Sequence, residues 1–237
     1  MERPFKFKQF TVNQDQCAMK IGTDGVLLGA WASLNHNPNT ILDIGAGTGV
    51  IALMMAQRSN AITIDALEID PDAYEQCSEN FEQSPWADRL FCYHASLLEF
   101  AEEIDDSYDS FICNPPFYAE DYKTENEARD TARFQDAMPF EHLVYAVSKL
   151  LSENGLFSLI LPYKEEEHLI DLAFQIGLKS SRVCRVKGNP DSGIVRSLIE
   201  FSYQDSDLQT SELIIEKERH NYTEDYVNLT KDFYLKM

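Results

Sequence analysis

The chain has 237 residues, 44% of them hydrophobic, enough to bury the core of one large domain. Its 40 acidic and 20 basic side chains leave a formal charge of −20, which argues against indiscriminate binding to phosphate backbones and makes the placement of its cations decisive. No apolar run could cross a bilayer and "MERPFKFKQF" is no signal peptide, while five widely spaced cysteines without a Cys-x-x-Cys pair indicate neither a disulfide framework nor a zinc site and point to free thiols and the cytoplasm.

In chain order, Val26, Leu27, Ala30, Trp31 and Leu34 recur at helical spacing, predicting a helix from about Asp24 with Thr23 or Asp24 as its cap. "TILDIG" (40–45) reads as a buried strand, followed by helical spacing in "GVIALMMAQR" (49–58) and a second, β-branched strand in "AITIDALEI" (61–69). Asp70 before Pro71 is a cap and first-turn pair opening the next helix. "RLFCYHA" (89–95) and "DSFICN" (109–114) are two more strands. A helix centred on "FEHLVYAVSKLL" is expected to stop at Gly155, before the strand "LFSLILP" (156–162), and "KEEEHLIDLAFQIG" is a further helix. "SRVCRV" (181–186) and "RSLIEFSY" (196–203) form a terminal pair around "KGNPDSG". This alternation predicts an open α/β architecture with a mostly parallel sheet, in one domain spanning 1–237 with residues 1–36 preceding the first sheet strand.

The first strand runs directly into Asp43-Ile44-Gly45-Ala46-Gly47-Thr48-Gly49 and then a helix. Glycines at that turn let a nucleotide-like ligand approach the backbone, and the helix start offers free N–H groups. The spacing G-x-G-x-G departs from the dinucleotide fingerprint G-x-G-x-x-G, because position 50 is Val50. Glu68, ending the second strand, is placed to accept ribose hydroxyls in either kind of enzyme.

The fourth strand ends in Asn114-Pro115-Pro116-Phe117. Neither proline can donate to a sheet, so the strand stops there, and the preceding residues are held extended. The Asn114 side-chain oxygen and the Pro115 carbonyl offer two acceptors beside the flat face of Phe117, a match for a planar exocyclic amine. Hydrogen bonds to both amine protons favour a pyramidal nitrogen with its lone pair available for attack, so orientation replaces a strong base. The five histidines are scattered and suggest no triad.

D-x-G-x-G-x-G followed by N-P-P-F resembles the motif order of amino-directed, S-adenosyl-L-methionine-dependent class I methyltransferases. "FKQFTVNQDQCAMKIGTDGVLLGAWA", "NEARDTARFQDAMPFEHL" and "HNYTEDYVNLTKDFYLKM" extend the likeness to bacterial tRNA adenine-N6 methyltransferases acting on the adenine 3′ of the anticodon in a valine tRNA. The resemblance implies a Rossmann-like, seven-stranded, mostly parallel sheet with helices on both faces. It implies S-adenosyl-L-methionine as cofactor, held by Asp43, Gly45, Gly47 and Glu68, with Lys20 and Thr23 on a closing segment. Asn114, Pro115 and Phe117 would be catalytic. Where such enzymes often carry an acid for the cofactor's adenine, this chain has Ala95-Ser96, leaving Ser96 as the candidate. The partner implied is the anticodon stem-loop of a tRNA, with no membrane and no metal. RNA would meet the basic stretch containing Arg182, Arg185 and Lys187, and the Lys/Phe-rich start. Other readings remain: a guanine-N2 enzyme acting on ribosomal RNA, a protein-glutamine methyltransferase, a nicotinamide-dependent oxidoreductase, or a non-catalytic RNA-binding module.

Overall fold

A computed structural model describes residues 3–116 and 138–236. The chain begins with a small ribbon, β1 (Phe5–Lys6) and β2 (Thr11–Val12), then α1 (Thr23–Trp31). Strand–helix alternation follows through β3 (Thr40–Ile44), α2 (Val50–Arg58), β4 (Thr63–Glu68), α3 (Pro71–Glu82), β5 (Leu90–His94), α4 (Leu97–Glu103) and β6 (Tyr108–Cys113). The later half holds α5 (Phe140–Leu150), β7 (Leu151–Pro162), α6 (Glu166–Gln175), β8 (Lys179–Lys187), β9 (Ile194–Ser202) and β10 (Gln209–Ile214). It ends in the hairpin β11 (Glu216–Glu218) and β12 (Asn221–Tyr222), and α7 (Glu224–Thr230).

One sheet organises these elements, in the order β10-β8-β9-β7-β6-β3-β4-β5. Only β9 runs antiparallel to its neighbours. The seven expected strands are β3 to β9, and β10 adds an eighth, parallel to β8. Because all strands but β9 point one way, the C-terminal ends of β3, β4, β5, β6, β7, β8 and β10 share one edge. In such sheets that edge is where ligands bind.

Two apolar layers cover the sheet. Buried Leu27, Leu28, Leu53, Met54, Phe81 and Tyr226 bring α1, α2, α3 and α7 against one face. Phe100, Leu143, Val147 and Leu169 bring α4, α5 and α6 against the other. Among the described residues no helix is long and apolar enough to cross a membrane. All five cysteines are free, with Cys77, Cys113 and Cys184 buried and Cys17 and Cys92 half-buried.

Three local expectations change. The N-cap of α1 is Gly22, with no side-chain cap, so Thr23 is the first helical residue and not the cap. Asp24 instead accepts a hydrogen bond from Arg196 Nε at 2.8 Å. Gly155 does not stop a helix: α5 ends at Leu150, and Gly155 lies in an irregularity of β7, where the pairings Tyr108 to Leu151 and Ser110 to Leu156 are out of step. The phenylalanines near the start do not face outward either. Phe7 and Phe10 are buried, stacked 4.6 Å apart, with Phe7 6.0 Å from Tyr234 and Phe10 edge-on to Trp86 at 5.9 Å.

Candidate active site

Gly45 and Ala46 leave β3 with their N–H groups donating to the Leu67 carbonyl at 3.0 and 2.9 Å, which ties the glycine loop to the end of β4. Gly45, Gly47 and Gly49 have φ of 70°, 53° and 76°, the left-handed region where a side chain is strained. Their surroundings differ. A Cβ on Gly45 or Gly47 would meet no atom within 4 Å, whereas one on Gly49 would lie 2.5 Å from a Phe81 ring carbon and 2.8 Å from Cys77 Sγ. The first two glycines therefore border open space at the sheet edge, and the third seats α2 against α3. Gly49→Ala should cost about 3 kcal/mol through overpacking added to strain. Gly45→Ala should cost about 1 kcal/mol, from strain alone. Paired chemical denaturations check the difference; equal losses would mean that packing is not what requires Gly49.

Glu68, ending β4, is buried and reaches across this loop. Its Oε2 accepts from Gly47 N at 2.7 Å, and its Oε1 from Ile69 N at 2.8 Å and Asp70 N at 2.9 Å. The carboxylate thus fixes the loop's shape as well as offering acceptors at the sheet edge. Asp70 caps α3 by accepting from Ala73 N at 2.8 Å. Asp43 is fully buried beneath the loop, where Oδ2 accepts from Ala52 N at 3.0 Å and Oδ1 has no partner. Burial pushes its carboxyl up to about 7, with the Ala52 N–H opposing and the Glu68 charge assisting. An unpaired buried carboxylate oxygen under a glycine turn suits a ligand's ammonium group.

A segment before α1 runs beside this site. Asn80 on α3 accepts from Asn13 N at 2.8 Å and donates to the carbonyls of Asn13 and Thr48, both at 2.9 Å. One turn earlier on α3, Gln76 accepts from Gln16 N at 2.9 Å. These two buried amides bind the segment to the glycine loop's own support. Cys17, in this segment, has its thiol pushed up to about 12, by burial first and then by the charges of Glu68, Asp70 and Asp15. Lys20 and Thr23 lie further along and are exposed. Nothing in the sequence singled out Asn80 or Gln76; polar residues inside a helix read as surface until their burial is seen.

Parallel pairing aligns Ile44 with Cys113, so Gly45 and Asn114 leave the sheet side by side on adjacent strands. Neighbouring strands lie about 4.8 Å apart, so Asn114 and the glycine loop begin beside each other at the sheet edge. Asn114 is half-buried and Pro115 buried, which gives the motif a rigid base. Phe117 lies outside the described residues. Ser96 is at the same edge but serves as the N-cap of α4: its hydroxyl donates to Glu99 Oε2 at 2.7 Å and accepts from Glu99 N at 3.3 Å. That capping box engages the hydroxyl proposed for adenine.

The basic stretch is not one surface. Alternation along β8 sends Arg182 and Arg185 to opposite faces of the sheet. Arg182 lies over the Trp31 ring at 4.3 Å and pairs with Glu200 at 3.2 Å, while Arg185 pairs with Glu166 at 2.7 Å. Lys187 pairs with Glu212 at 3.0 Å. These cations are matched by acids that the linear sequence places far away, which removes the excess positive charge expected there.

Residues 23–137 match the methyltransferase small domain model. A tRNA1(Val) (adenine(37)-N6)-methyltransferase from Flavobacterium psychrophilum is 62% identical over 98% of this chain and 100% of its own length. The Christiangramia forsetii protein of the same name is 58% identical over 99% of both chains. This chain belongs to that methyltransferase family. It is an S-adenosyl-L-methionine-dependent methyltransferase with a Rossmann-like fold. A solved structure described as a predicted O-methyltransferase from Agrobacterium tumefaciens shares that fold, with a TM-score of 0.66 at 20% identity over 89% of this chain and 96% of the other. For a methyltransferase of this family, the open side of Gly45 and Gly47, the orphan oxygen of Asp43 and the carboxylate of Glu68 fit the glycine turn, ammonium and ribose that the cofactor requires.

Proposed function

We propose that this chain methylates N6 of an adenine in tRNA, position 37 of a valine tRNA, at the anticodon stem-loop. The adjacency of Gly45 and Asn114 at the ends of paired strands carries the reading, since it sets a cofactor cradle directly beside an amine-binding motif. The names of the full-length relatives support the base and the RNA. The bound cofactor supplies a methyl group on a positively charged sulfur. Asp43 and Glu68 hold its amino-acid and ribose ends, Gly45 and Gly47 let it approach, and Lys20 and Thr23 belong to the segment closing beside it.

Asn114 Oδ1 and the Pro115 carbonyl accept the two N6 protons, orienting the nitrogen lone pair outward, and Phe117 stacks on the adenine. Such positioning can contribute several kcal/mol without a strong base. An anticodon loop is single-stranded, so extruding its base costs at most a few kcal/mol and needs no further RNA-binding domain. Residues 1–237 act as one methyltransferase unit, in the cytoplasm where tRNA is modified.

The test is nucleoside analysis of bulk tRNA incubated with the purified protein and methyl-labelled S-adenosyl-L-methionine. Label in N6-methyladenosine is expected. Label in N2-methylguanosine of ribosomal RNA, or in protein, would reassign the substrate while keeping the methyl transfer.

A further inference from the structure

The cofactor residues Gly45 and Glu68 lie at the ends of β3 and β4, and Asn114 ends the next strand, β6. A macromolecular substrate reaching Asn114 must therefore lie over the other half of the edge, above β7, β9, β8 and β10. Four strand spacings of about 4.8 Å carry that half about 19 Å from Asn114, comparable with the width of an RNA stem. Its far end is the β11–β12 hairpin, anchored to the same edge by Ile215 N donating to the Lys187 carbonyl and Glu216 N to that of Gly188, both at 3.0 Å.

The cations along this half are mostly neutralised. Arg185, Lys187 and Arg196 pair with Glu166, Glu212 and Asp24, and Lys164 lies 3.7 Å from Glu165. The hairpin differs. Lys217 and Arg219 are exposed and form no ion pair with any described residue. Its two acids are engaged within the turn: Glu216 accepts from His220 N and Glu218 from Asn221 Nδ2, each at 3.2 Å. His220, at φ 66°, holds the turn, and Tyr222 is exposed with its ring 5.1 Å from Tyr226. Glu216 and Glu218 keep their charge, so the hairpin is balanced in sum, but two exposed cations outside any ion pair, beside an imidazole and a phenol, suit a phosphate backbone and unstacked bases.

We propose that the β11–β12 hairpin binds the RNA substrate at a distance from the reacting base, with Lys217 and Arg219 contacting backbone phosphates. This rests on RNA being the substrate of the Asn114 site. In a chain with a formal charge of −20, two free cations at the far end of the substrate half would orient the RNA and hold it against general repulsion.

The experiment measures binding of a fluorescent valine-tRNA anticodon stem-loop across a salt series, for the full chain and the K217A/R219A variant, with K217E as a second variant. Turnover on tRNA is followed in parallel. Loss of two phosphate contacts should make the slope of log K against log[salt] shallower by about 1.4 to 1.8. Affinity of the double variant should fall at least tenfold, with kcat at saturating RNA and cofactor Kd unchanged, and K217E should weaken binding as well. An unchanged slope in variants that melt normally and still bind cofactor would overturn the hairpin's role. If the variants lose slope and affinity as expected but the unaltered chain labels no tRNA, the assigned reaction fails while the docking surface stands. If it labels tRNA and both variants bind it equally well, only the docking surface fails.

Discussion

Asn114→Ala is expected to lower kcat for methylation by about 10³-fold, the scale seen when a preorganised hydrogen-bonding group at a transition state is lost. Cofactor Kd should stay within a few-fold, because Asn114 follows β6 while the residues proposed to hold the cofactor lie at the ends of β3 and β4. The substitution removes the oxygen proposed to orient the N6 protons and leaves the stiff Pro115-Pro116 backbone in place, so the fold should survive. Asn114→Asp separates shape from charge: its carboxylate still accepts hydrogen bonds but adds a charge near the sulfonium, favouring the ground state and slowing transfer. Single-turnover rates with labelled cofactor, beside cofactor titrations, check both. Turnover within tenfold of the unaltered enzyme would remove Asn114 from the chemistry.

Asp43→Asn should reverse a pH trend in stability. In the folded chain burial raises the Asp43 carboxyl from 3.8 to about 7. The native state then holds a proton that the unfolded chain releases between about pH 4 and 7. Native stability is favoured by this group below pH 4 and loses that contribution as pH climbs toward 7. At about 1.4 kcal/mol per unit, the full window amounts to about 4 kcal/mol. The amide cannot ionise, so the stability of Asp43→Asn minus that of the unaltered chain should grow by that amount from pH 4 to pH 8. The other carboxylates cancel in this difference. Cofactor affinity should fall in the same variant, because the ammonium loses its counter-charge. Urea melts at several pH values give the first quantity and calorimetric titration the second. A flat difference would mean that Asp43 is ionised throughout.

Much of the catalytic edge was legible in the sequence because it is built from local chemistry. Glycines at positive φ, the two prolines ending β6 and the Asp70 cap before Pro71 each act within a few residues, so spacing alone located them. What was hidden depends on partners distant in sequence. The acids that pair with Arg182, Arg185 and Lys187 are Glu200, Glu166 and Glu212, and linear charge counting cannot match them. The capping role of Ser96 was also hidden: the Glu99 that completes its capping box begins an acidic run, which masked the helix start. β10 escaped notice because Gln209–Ile214 is mostly polar and exposed, as an edge strand can be. Gly155 carried a stop signal suited to a helix end, but backbone irregularity in β7 uses the same permissive residue.

The aromatic ribbon near the start has a consequence for how the enzyme is made. Phe7 bridges to Tyr234, Lys8 N donates to the Phe233 carbonyl at 2.8 Å, and α7 packs on α1. The ribbon is therefore completed only once residues 233 and 234 have been made. A chain that has emerged only to residue 220 lacks the Tyr234 and Phe233 partners of Phe7 and Lys8, although Phe10 keeps Trp86 and the segment leading from the ribbon keeps its hydrogen bonds to Asn80 and Gln76.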